Sequence, residues 1–556
     1  MQEKQIRFIL SLITILSLIT VACTCSTCSL IDKEGPPANA AVVELTANTS
    51  LTPWLEAATA DFNAAEVETS AGKPIYVLFT PVESGQAATN MTDDHPLPAL
   101  WIPDGPVWAN LLADQGKDNF QGDCVSVAES PLVIAMWRPV AESLGWPSRS
   151  LGWLDVGSLA ADPSAWAYYS GGQFGESLRL GHTHPGLSGA GVSTLLAIVQ
   201  AAESKTEAVG VEEVQQPIVQ ASVSAFEAAV SWFSSTTDSL GRTMNERGIG
   251  YLGAAVMYEN AVVNYGGDDP GLVSIYPYEG TFVATHPACL NSATDAQTQE
   301  AARAFRDYLM GKEVQQMAMA NGLRPVSDDV TPGAPLDESH GVDLTQPEIT
   351  FGSPSVATVY AVQELWQSAR KDVNLVMLLD TSGSMAGSKM DGVREAAIKF
   401  VEQMGEDDFI TIIAFSDDPD TILIHEQVGL TRDKVTGMIE GLEADGYTSL
   451  YDAIGDGAAA IGDTTSSQTN NVIIVLTDGL DTNSFRYSFG QDLIDMVAAN
   501  DTTVFTIAYG EDANENVLTQ LALQTNGNFY LGDEASIAAI YEEMSAAFGG
   551  SVGIGR

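Results

Sequence analysis

The distribution of apolar and polar positions divides the chain beyond residue 40 into three stretches. In residues 41–326, short apolar runs typical of strands are mixed with amphipathic helical patterns. Residues 327–370 are rich in Pro, Asp, Gly and Ser as far as Val356, which predicts a linker that ends in a short helix. Residues 371–548 alternate strand and helix patterns strictly. This β-α-β alternation predicts an α/β fold with a doubly wound sheet covered by helices on both faces.

Individual elements are predicted where the periodicity is clearest. In the first stretch and the linker, strands are predicted at 42–45, 125–136 and 273–276, and helices at 52–62, 193–202, 297–321 and 356–367. In the last stretch, strands are predicted at 373–379, 409–415, 472–477, 503–509 and 528–531. Its helices are predicted near 389–404, 432–443, 450–461, 491–499, 515–524 and 535–547, followed by a tail at 549–556. A chain of 556 residues is too long for one core, so we expect more than one domain.

The first 40 residues are predicted to target and tether the protein, outside its fold. Residues 1–22 have the basic start and short apolar run of a signal peptide, and Ala22 precedes Cys23 as in a bacterial lipobox. Cys23 is therefore the expected lipidation site, and residues 23–40 are expected to be a flexible tether. We expect the protein to be lipid-anchored on the extracytoplasmic face of the bacterial cell membrane. An ordinary signal peptide is the alternative, and it would make the protein secreted.

The net charge limits the classes of partner that the protein can bind, and the cysteines bear on its cellular compartment. The 73 acidic residues outnumber the 24 Lys and Arg residues, and the formal net charge is −49. Such a surface repels nucleic acid, so DNA and RNA are not expected as partners. Cys124 and Cys289 are the only cysteines in the predicted folded body. A disulfide between them is permitted outside the cytoplasm, but the sequence leaves their separation, and hence the pairing, open.

Carboxylates and hydroxyls follow two of the predicted buried strands in the last stretch. One apolar run ends at Asp380, with Ser382 and Ser384 at alternate positions after it; another ends just before Asp478. Thr448 lies in a loop immediately before a predicted helix. Adjacent parallel strands would place the two aspartates on one rim of the sheet, where ligands of open α/β sheets bind. Such oxygen donors suit a hard divalent cation; Mg²⁺ is expected, with Mn²⁺ and Ca²⁺ as alternatives.

This set of residues resembles the metal-ion-dependent adhesion site (MIDAS) of von Willebrand factor A (vWA) domains. The family pattern is DxSxS, then a threonine, then an aspartate in a T-D-G turn; here it is matched by Asp380, Ser382, Ser384, Thr448 and Asp478. The resemblance covers residues 371–548 and implies a Rossmann-like fold. It also implies that the metal takes its remaining ligand from a Glu or Asp of a bound partner protein.

Residues 41–326 resemble a bacterial extracellular solute-binding protein, a periplasmic-binding-protein-like module of the two-lobed type 2 class. The segments that carry this resemblance are 45–50, 131–136, 181–191 and 276–281. Residues 101–104 together with Trp108, and residues 144–147, resemble the bacterial group that fuses such a module to a vWA domain. The resemblance implies two lobes crossed by the chain, which would bury any ligand in a hinged cleft.

Two helix starts are candidate anion sites within that cleft. Asn48, Thr49 and Ser50 would supply one on the first lobe, and Ser188 and Gly189 the other on the second lobe. Free main-chain amides and the helix dipole at each start suit an anionic solute. Ordinary helix capping is the alternative for both.

Histidines and tryptophans of the first stretch are expected to be structural. His182 and His184 have the HxH spacing of some metal sites, but no third ligand is in view and a solvated loop is the expected setting. Packing is the expected role of Trp137, Trp146, Trp153 and Trp166.

The patterns together favour a binding protein. No H-E-x-x-H or phosphate-loop motif occurs in the chain, and the G-x-S-x-G match at 549–553 lies in the predicted tail and not at a strand-to-helix turn, so we do not expect an enzyme. In the leading hypothesis, a membrane-anchored adhesion protein uses the metal of its last domain to capture an acidic group of a partner protein. In the alternative, the first domain is a receptor for a small, anionic solute and works with an ABC-type transporter.

Overall fold

A computed structural model describes residues 35–549 except for residues 94, 268–270, 467–468 and 511. The described residues form one sheet of five strands and two sheets of six. The strands are β1 (Ala41–Ala47), β2 (Ile75–Pro81), β3 (Leu100–Ile102), β4 (Cys124–Ser126), β5 (Ser130–Trp137), β6 (Leu180–Thr183), β7 (Val230–Ser234), β8 (Ala254–Tyr258), β9 (Leu272–Ile275), β10 (Val283–Ala284), β11 (Pro287–Leu290), β12 (Asp372–Asp380), β13 (Phe409–Phe415), β14 (Pro419–Gln427), β15 (Thr469–Thr477), β16 (Thr503–Tyr509) and β17 (Phe529–Gly532).

Helices connect and cover these sheets. They are α1 (Thr52–Ala64), α2 (Ser84–Thr92), α3 (Val107–Asp114), α4 (Arg138–Ser143), α5 (Trp153–Ala161), α6 (Pro163–Ser170), α7 (Gly189–Glu203), α8 (Val211–Val214), α9 (Pro217–Glu227), α10 (Thr237–Arg247), α11 (Glu259–Tyr265), α12 (Ala296–Leu309), α13 (Lys312–Ala320), α14 (Val356–Ala369), α15 (Ser388–Gln403), α16 (Val428–Glu440), α17 (Leu450–Thr464), α18 (Gln491–Ala498), α19 (Glu515–Gln524) and α20 (Ile537–Ala547). Short 3₁₀ turns occupy Thr49–Leu51, Glu338–His340 and Gly383–Met385.

The first lobe is built on the five-stranded sheet, in the order β2-β1-β3-β11-β4. β1 is parallel to β2 and β3, whereas β11 is antiparallel to its neighbours. Trp54 and Phe62 of α1 and Phe305 of α12 are at most 2% exposed and close the core of this lobe. Since β1, β2 and β3 run in the same direction, their carboxyl ends form one rim.

The second lobe is built on the sheet β10-β5-β8-β6-β7, with β9 also paired to β5. All eight residues of β5 are buried, as its continuous apolar run predicts. The chain enters this lobe between β4 and β5 and returns to the first lobe between β10 and β11. The carboxyl ends of β6 and β8, which are parallel, face the rim of the first lobe.

Two predicted elements of the first stretch are each divided in the structure. The strand predicted at 125–136 is wrong as a single element, because β4 and β5 belong to different lobes and the chain crosses between them at 127–129. The helix predicted at 297–321 ends at Leu309 and a second begins at Lys312. Gly311 lies between them with an extended ψ of 146°. Both helices bury apolar residues in the core of the first lobe, so the helical periodicity continues across the break.

The third sheet has the order β14-β13-β12-β15-β16-β17 and is parallel except at β14. Every strand predicted from the sequence is present in it, β13 and β16 with the predicted bounds. β14 was not predicted, because it is an edge strand that begins at Pro419 and has only Leu423 buried. In register, Leu379 of β12 pairs with Leu476 of β15, so Asp380 and Asp478 leave neighbouring strands at the same rim.

The predicted linker is ordered and packs on the first module. The amide of Phe351 donates to the carbonyl of Thr281 at 2.8 Å. Val359 and Val362 of α14 are fully buried, and Trp366 donates its Nε1–H to Glu227 of α9 at 3.1 Å. Helix α14 therefore attaches the segment to the second lobe before β12 begins.

A second attachment joins the last domain to the second lobe. Arg247, at the end of α10, donates to the carbonyl oxygens of Asn526 and Gly527, the latter at 2.7 Å, and to the Asn528 side chain at 3.2 Å. Its guanidinium lies 4.0 Å from the ring centroid of Tyr251. These contacts are made at the amino end of β17, opposite the rim that carries Asp380.

Candidate metal centre and interlobe cleft

Asp380 is the innermost of the predicted metal ligands. It is fully buried; its Oδ1 accepts from the Ser382 amide at 2.8 Å and its Oδ2 from the Thr477 hydroxyl at 2.5 Å. Burial raises the pKa of Asp380, the hydrogen bonds from Ser382 and Thr477 oppose the increase, and the charge of Asp478 adds to it. A bound cation would offset that cost of burying two neighbouring carboxylates.

The two serines of the motif link Asp380 to Asp478. The hydroxyls of Ser382 and Ser384 lie 3.1 Å apart, and Ser384 donates to Asp478 Oδ1 at 2.6 Å. Ser382 and Asp478 are buried, whereas Ser384 is exposed at the mouth of the rim. The 3₁₀ turn after Ser382 folds the loop back, so that both hydroxyls lie on the same side as the Asp478 carboxylate.

Thr448 reaches the same rim from the loop before α17. Its amide donates to the Thr482 hydroxyl at 3.0 Å, and its carbonyl accepts from the Thr482 amide at 2.8 Å. The Thr448 hydroxyl faces the turn after Asp478, because a Cβ added at Gly479 would lie 3.7 Å from it. The structure thus brings all five predicted residues to one rim from three separate loops.

Lys389 is a further charged residue at this rim, which sequence reasoning did not identify. Its Nζ forms an ion pair with Asp478 Oδ2, and its side chain is 32% exposed. The available signal was its place in the first turn of α15, directly after the DxSxS loop.

The donor set fits a hard divalent cation. Two carboxylates and three neutral hydroxyls converge there, which matches the oxygen preference of Mg²⁺, Mn²⁺ and Ca²⁺. Elsewhere in the described ranges, three or more His, Cys, Asp or Glu side chains do not come together in a metal-binding group. A cation at this rim would therefore depend on the hydroxyls of Ser382, Ser384 and Thr448.

The cleft between the lobes holds the other predicted site residues. Asn48 accepts from the Ser50 amide at 3.0 Å and from its hydroxyl at 2.6 Å, which is the capping arrangement. The Nδ2 of Asn48 donates to Glu83 Oε2 at 3.2 Å, and the Thr49 hydroxyl donates to Glu83 Oε1. The first helix start therefore binds a carboxylate of the chain itself.

The second helix start is also adjacent to a carboxylate. Ser188 and Gly189 are buried at the beginning of α7. A Cβ added at Gly189 would lie 2.1 Å from Asp104 Oδ2, so a side chain at this position would collide with that carboxylate. Glu83 and Asp104 were not predicted as site residues from the sequence. The sequence feature that could have identified them is an acidic residue two positions after a short apolar run, since β2 ends at Pro81 and β3 at Ile102.

The expected solvated setting of His182 and His184 is wrong. Both are fully buried. His182 contacts Glu227 through Nε2 at 3.0 Å, and the His184 ring centroid lies 4.7 Å from that of Trp366. The HxH segment ends strand β6 in the interior, where α14 covers it, and this long-range packing is not visible in local composition.

Other predicted residues of the first stretch have the following positions. Cys124 and Cys289 are joined by a disulfide, which ties β4 to β11. Trp153 and Trp166 are fully buried, Trp137 is buried and Trp146 is partly buried, so the expected packing role is confirmed. The lipidation site Cys23 and the signal peptide lie outside the described residues.

The fold is that of a two-lobed solute-binding-like module followed by a Rossmann-like vWA domain. Residues 43–324 match the family model of the bacterial extracellular solute-binding protein, and residues 374–543 match that of the von Willebrand factor type A domain. The first match spans just over half of the chain. The chain therefore belongs to the bacterial extracellular solute-binding protein family and carries a vWA domain behind that module.

Individual relatives resemble one part of the chain or the other. The inter-alpha-trypsin inhibitor heavy chain H3 of Mus musculus is 26% identical over 185 residues, which are 31% of this chain and 21% of that relative. The chain thus spans only about a fifth of the length of that curated relative. The sulfate-binding protein SubI of Mycobacterium tuberculosis aligns with 18% identity and a TM-score of 0.38 over 52% of this chain and 88% of its own. A von Willebrand factor type A structure from Catenulispora acidiphila aligns with 22% identity and a TM-score of 0.29 over 32% and 42%.

Family membership also bears on the compartment. The first domain is of an extracellular type, which places the protein outside the cytoplasm. Among the helices that the structure describes, none has the length and apolar character needed to cross a membrane.

Proposed function

We propose that the protein captures a partner protein through a divalent metal ion at the rim of its vWA domain. The ion would be held by Asp380, Ser382, Ser384, Thr448 and Asp478. The observation that carries the proposal is their convergence, in which Ser384 bonds Asp478 at 2.6 Å while Asp380 and Thr448 reach the same rim. When bound, the ion would offer an electrophilic position to a carboxylate of the partner, because the hydroxyl ligands add no negative charge.

Exposed apolar side chains around the rim support a protein as the partner. Tyr447, Leu480 and Phe485 are 65%, 54% and 75% exposed. The hydrogen bonds between Thr448 and Thr482 join the loop of Tyr447 to the loop of Leu480 and Phe485, so the three side chains lie on the loops that follow or contain the candidate ligands Thr448 and Asp478. Exposed aromatic and large aliphatic side chains grouped on one part of a surface mark protein-interaction sites. The expected partner segment is therefore a Glu or Asp flanked by apolar residues.

Metal binding is tested directly by titrating the full chain with Mg²⁺ and with Mn²⁺ in a calorimeter. We expect one bound ion for the natural protein and an affinity at least about 100-fold lower for Asp380→Ala, since loss of even an outer partner of a metal ligand costs 10–100-fold. Asp418→Ala is the matched control, because Asp418 is an exposed acid on a neighbouring loop. Equal affinity in the Asp380→Ala and Asp418→Ala variants would contradict the proposed site.

Partner capture is tested with the immobilised protein and detergent-solubilised surface proteins. Binding of the same partner is expected with Mg²⁺, to be lost with EDTA, and to return when Mg²⁺ is restored. Asp380→Ala should capture nothing that depends on Mg²⁺, while its circular dichroism spectrum stays unchanged. A partner that remains bound in EDTA would refute capture through the metal.

A further inference from the structure

Glu83 and Asp104 lie where a solute would bind in a two-lobed module. Glu83 follows β2 and Asp104 follows β3, so both are at the carboxyl ends of parallel strands, which is where ligands of open α/β sheets bind. Each is 4% exposed. The position between the lobes is therefore filled by carboxylates of the chain.

Asp104 connects the two lobes. Its Oδ1 accepts from Trp108 Nε1 at 2.6 Å and its Oδ2 from the hydroxyl of Tyr258 at 2.7 Å. Tyr258 ends β8 in the second lobe, and the adjacent start of α7 at Gly189 leaves no room for a side chain against the carboxylate. Asp104 thus bonds the second lobe from the rim of the first.

Glu83 uses the donors of the other helix start. Asn48 and Thr49 donate to its two oxygens, and Asn48 also donates to the hydroxyl of Ser84 at 3.0 Å. A further hydrogen bond crosses the cleft nearby, from Asn260 Nδ2 in the second lobe to the Ser50 carbonyl at 2.8 Å. The lobes are closed on each other around these groups.

The donors that contact Glu83 and Asp104 are neutral and engaged by these carboxylates, and all of them except the partly buried Thr49 are buried. Asn48, Thr49, Trp108 and Tyr258 form the kind of neutral, dehydrated donor set that suits an anion. An added oxyanion would have to displace two covalently tethered carboxylates and then lie beside their charges. At the start of α7, the Asp104 carboxylate already occupies the space next to Gly189, where a Cβ would lie 2.1 Å from its Oδ2.

We propose that Glu83 and Asp104 act as a built-in substitute for an anionic solute and hold the two lobes closed. The first module then takes up no free oxyanion and serves as a closed support for the vWA domain. Burial raises the pKa of Glu83 to about 7; the hydrogen bond from Thr49 opposes this increase, and the charge of Asp104 adds to it. A site in which one carboxylate already disfavours ionisation of the other does not favour a further negative charge.

Oxyanion binding by the full chain provides the first test. Sulfate, phosphate and molybdate are titrated separately at pH 7.5 while the thermal unfolding temperature is followed. No saturable rise in that temperature is expected, because stabilisation requires a ligand that prefers the folded state. A saturable rise with any of the three anions would overturn the proposal.

Opening of the cleft provides the second test, by hydrogen–deuterium exchange. In Asp104→Asn, which keeps the shape but loses the charge, we expect the amides of residues 187–193 and 258–262 to exchange about tenfold faster, since a hydrogen bond to a charged group is lost. Asp118→Asn, at an exposed acid of the first lobe, should leave exchange unchanged. Equal exchange in Asp104→Asn and the natural protein would overturn the proposal. Glu83→Gln repeats the comparison should Asp104→Asn not fold.

Discussion

The positive charge of Lys389 lies next to the carboxylate of Asp478, which is also a predicted metal ligand. Its ion pair with Asp478 competes with a divalent cation for the same oxygen. Lys389→Met should therefore raise the affinity for Mg²⁺ by about tenfold at low ionic strength, in line with a partly buried ion pair. Calorimetric titration measures the change.

The control for this substitution lies on the same helix. Lys399→Met removes an exposed lysine that pairs with Glu395 at 3.1 Å and should leave the Mg²⁺ affinity unchanged. Weaker binding by Lys389→Met would show that the lysine supports the site and does not compete with the metal.

Glu83 should make the stability of the first module depend on pH. Its pKa is raised to about 7 in the folded protein against 4.5 for an ordinary glutamate, because it is buried. The folded state therefore binds the proton of Glu83 more tightly than the unfolded state does. The free energy of unfolding that this protonated carboxyl group contributes is lost as the pH rises from about 4.5 through about 7. The loss amounts to about 3 kcal/mol at pH 8, and Glu83→Gln should remove it.

Denaturant unfolding at pH 5 and pH 8 measures this effect as the difference between variant and natural protein. Asp104 and Tyr258 are the titratable groups that interact with Glu83, so they remain unchanged in the comparison. Glu44→Gln, at an exposed position of β1, is the control and should preserve the pH dependence. The prediction fails if Glu83→Gln loses as much stability with pH as the natural protein.

Single residues differ in how far the sequence reveals them. The ligand set Asp380, Ser382, Ser384, Thr448 and Asp478 could be proposed because each residue sits at the end of a strong strand pattern or before a helix. Glu83 and Asp104 could not, since their meaning depends on two lobes meeting across about 150 residues of sequence, as Asp104 and Tyr258 do. His182 and His184 were misplaced for the same reason.

Strands and helices of the vWA domain were the easiest elements to predict. β12, β13, β15 and β16 are buried parallel strands, so each has a continuous apolar run between turn residues. β14 carries little buried surface, and its pairing with β13 is set by the sheet. The crossing between the lobes at 127–129 could not be seen in the sequence. Val127 and Ala128 within it are buried, so the apolar pattern continues from the crossing into β5.

The disulfide between Cys124 and Cys289 links strands β4 and β11 of the first lobe covalently. Cys124 and Cys289 are 165 residues apart in sequence, and closing so long a loop stabilises the folded state by about 5 kcal/mol in the chain-entropy account. Cys124→Ala/Cys289→Ala should lose about that amount in denaturant unfolding. A phosphine reductant should lower the stability of the natural protein and leave that of the double variant unchanged; equal stability of the two proteins without reductant would contradict the prediction.

At the scale of the whole molecule, Arg247 is expected to fix the vWA domain to the second lobe. Arg247→Ala removes its bonds to Asn526, Gly527 and Asn528. We expect faster limited proteolysis within residues 327–355 and a separate unfolding transition for the vWA domain, with unchanged Mg²⁺ affinity. Arg242→Ala is the control, because Arg242 is on the same helix but pairs with Asp238 of its own lobe. Identical proteolysis of the Arg247→Ala and Arg242→Ala variants would count against this role.

The third sheet carries its candidate metal ligands at the edge opposite its contact with the second lobe. β12 and β15 carry the candidate ligands at their carboxyl ends, whereas Arg247 contacts the domain at the amino end of β17, which is parallel to them. In the first lobe, β1 likewise begins at the side away from the cleft. If Cys23 is lipidated as the sequence predicts, the tether would join the first lobe on the side away from the cleft, whereas the metal rim faces away from the second lobe. The first module would then act as a spacer that sets the height of the docking surface above the membrane and keeps it clear of lipid headgroups.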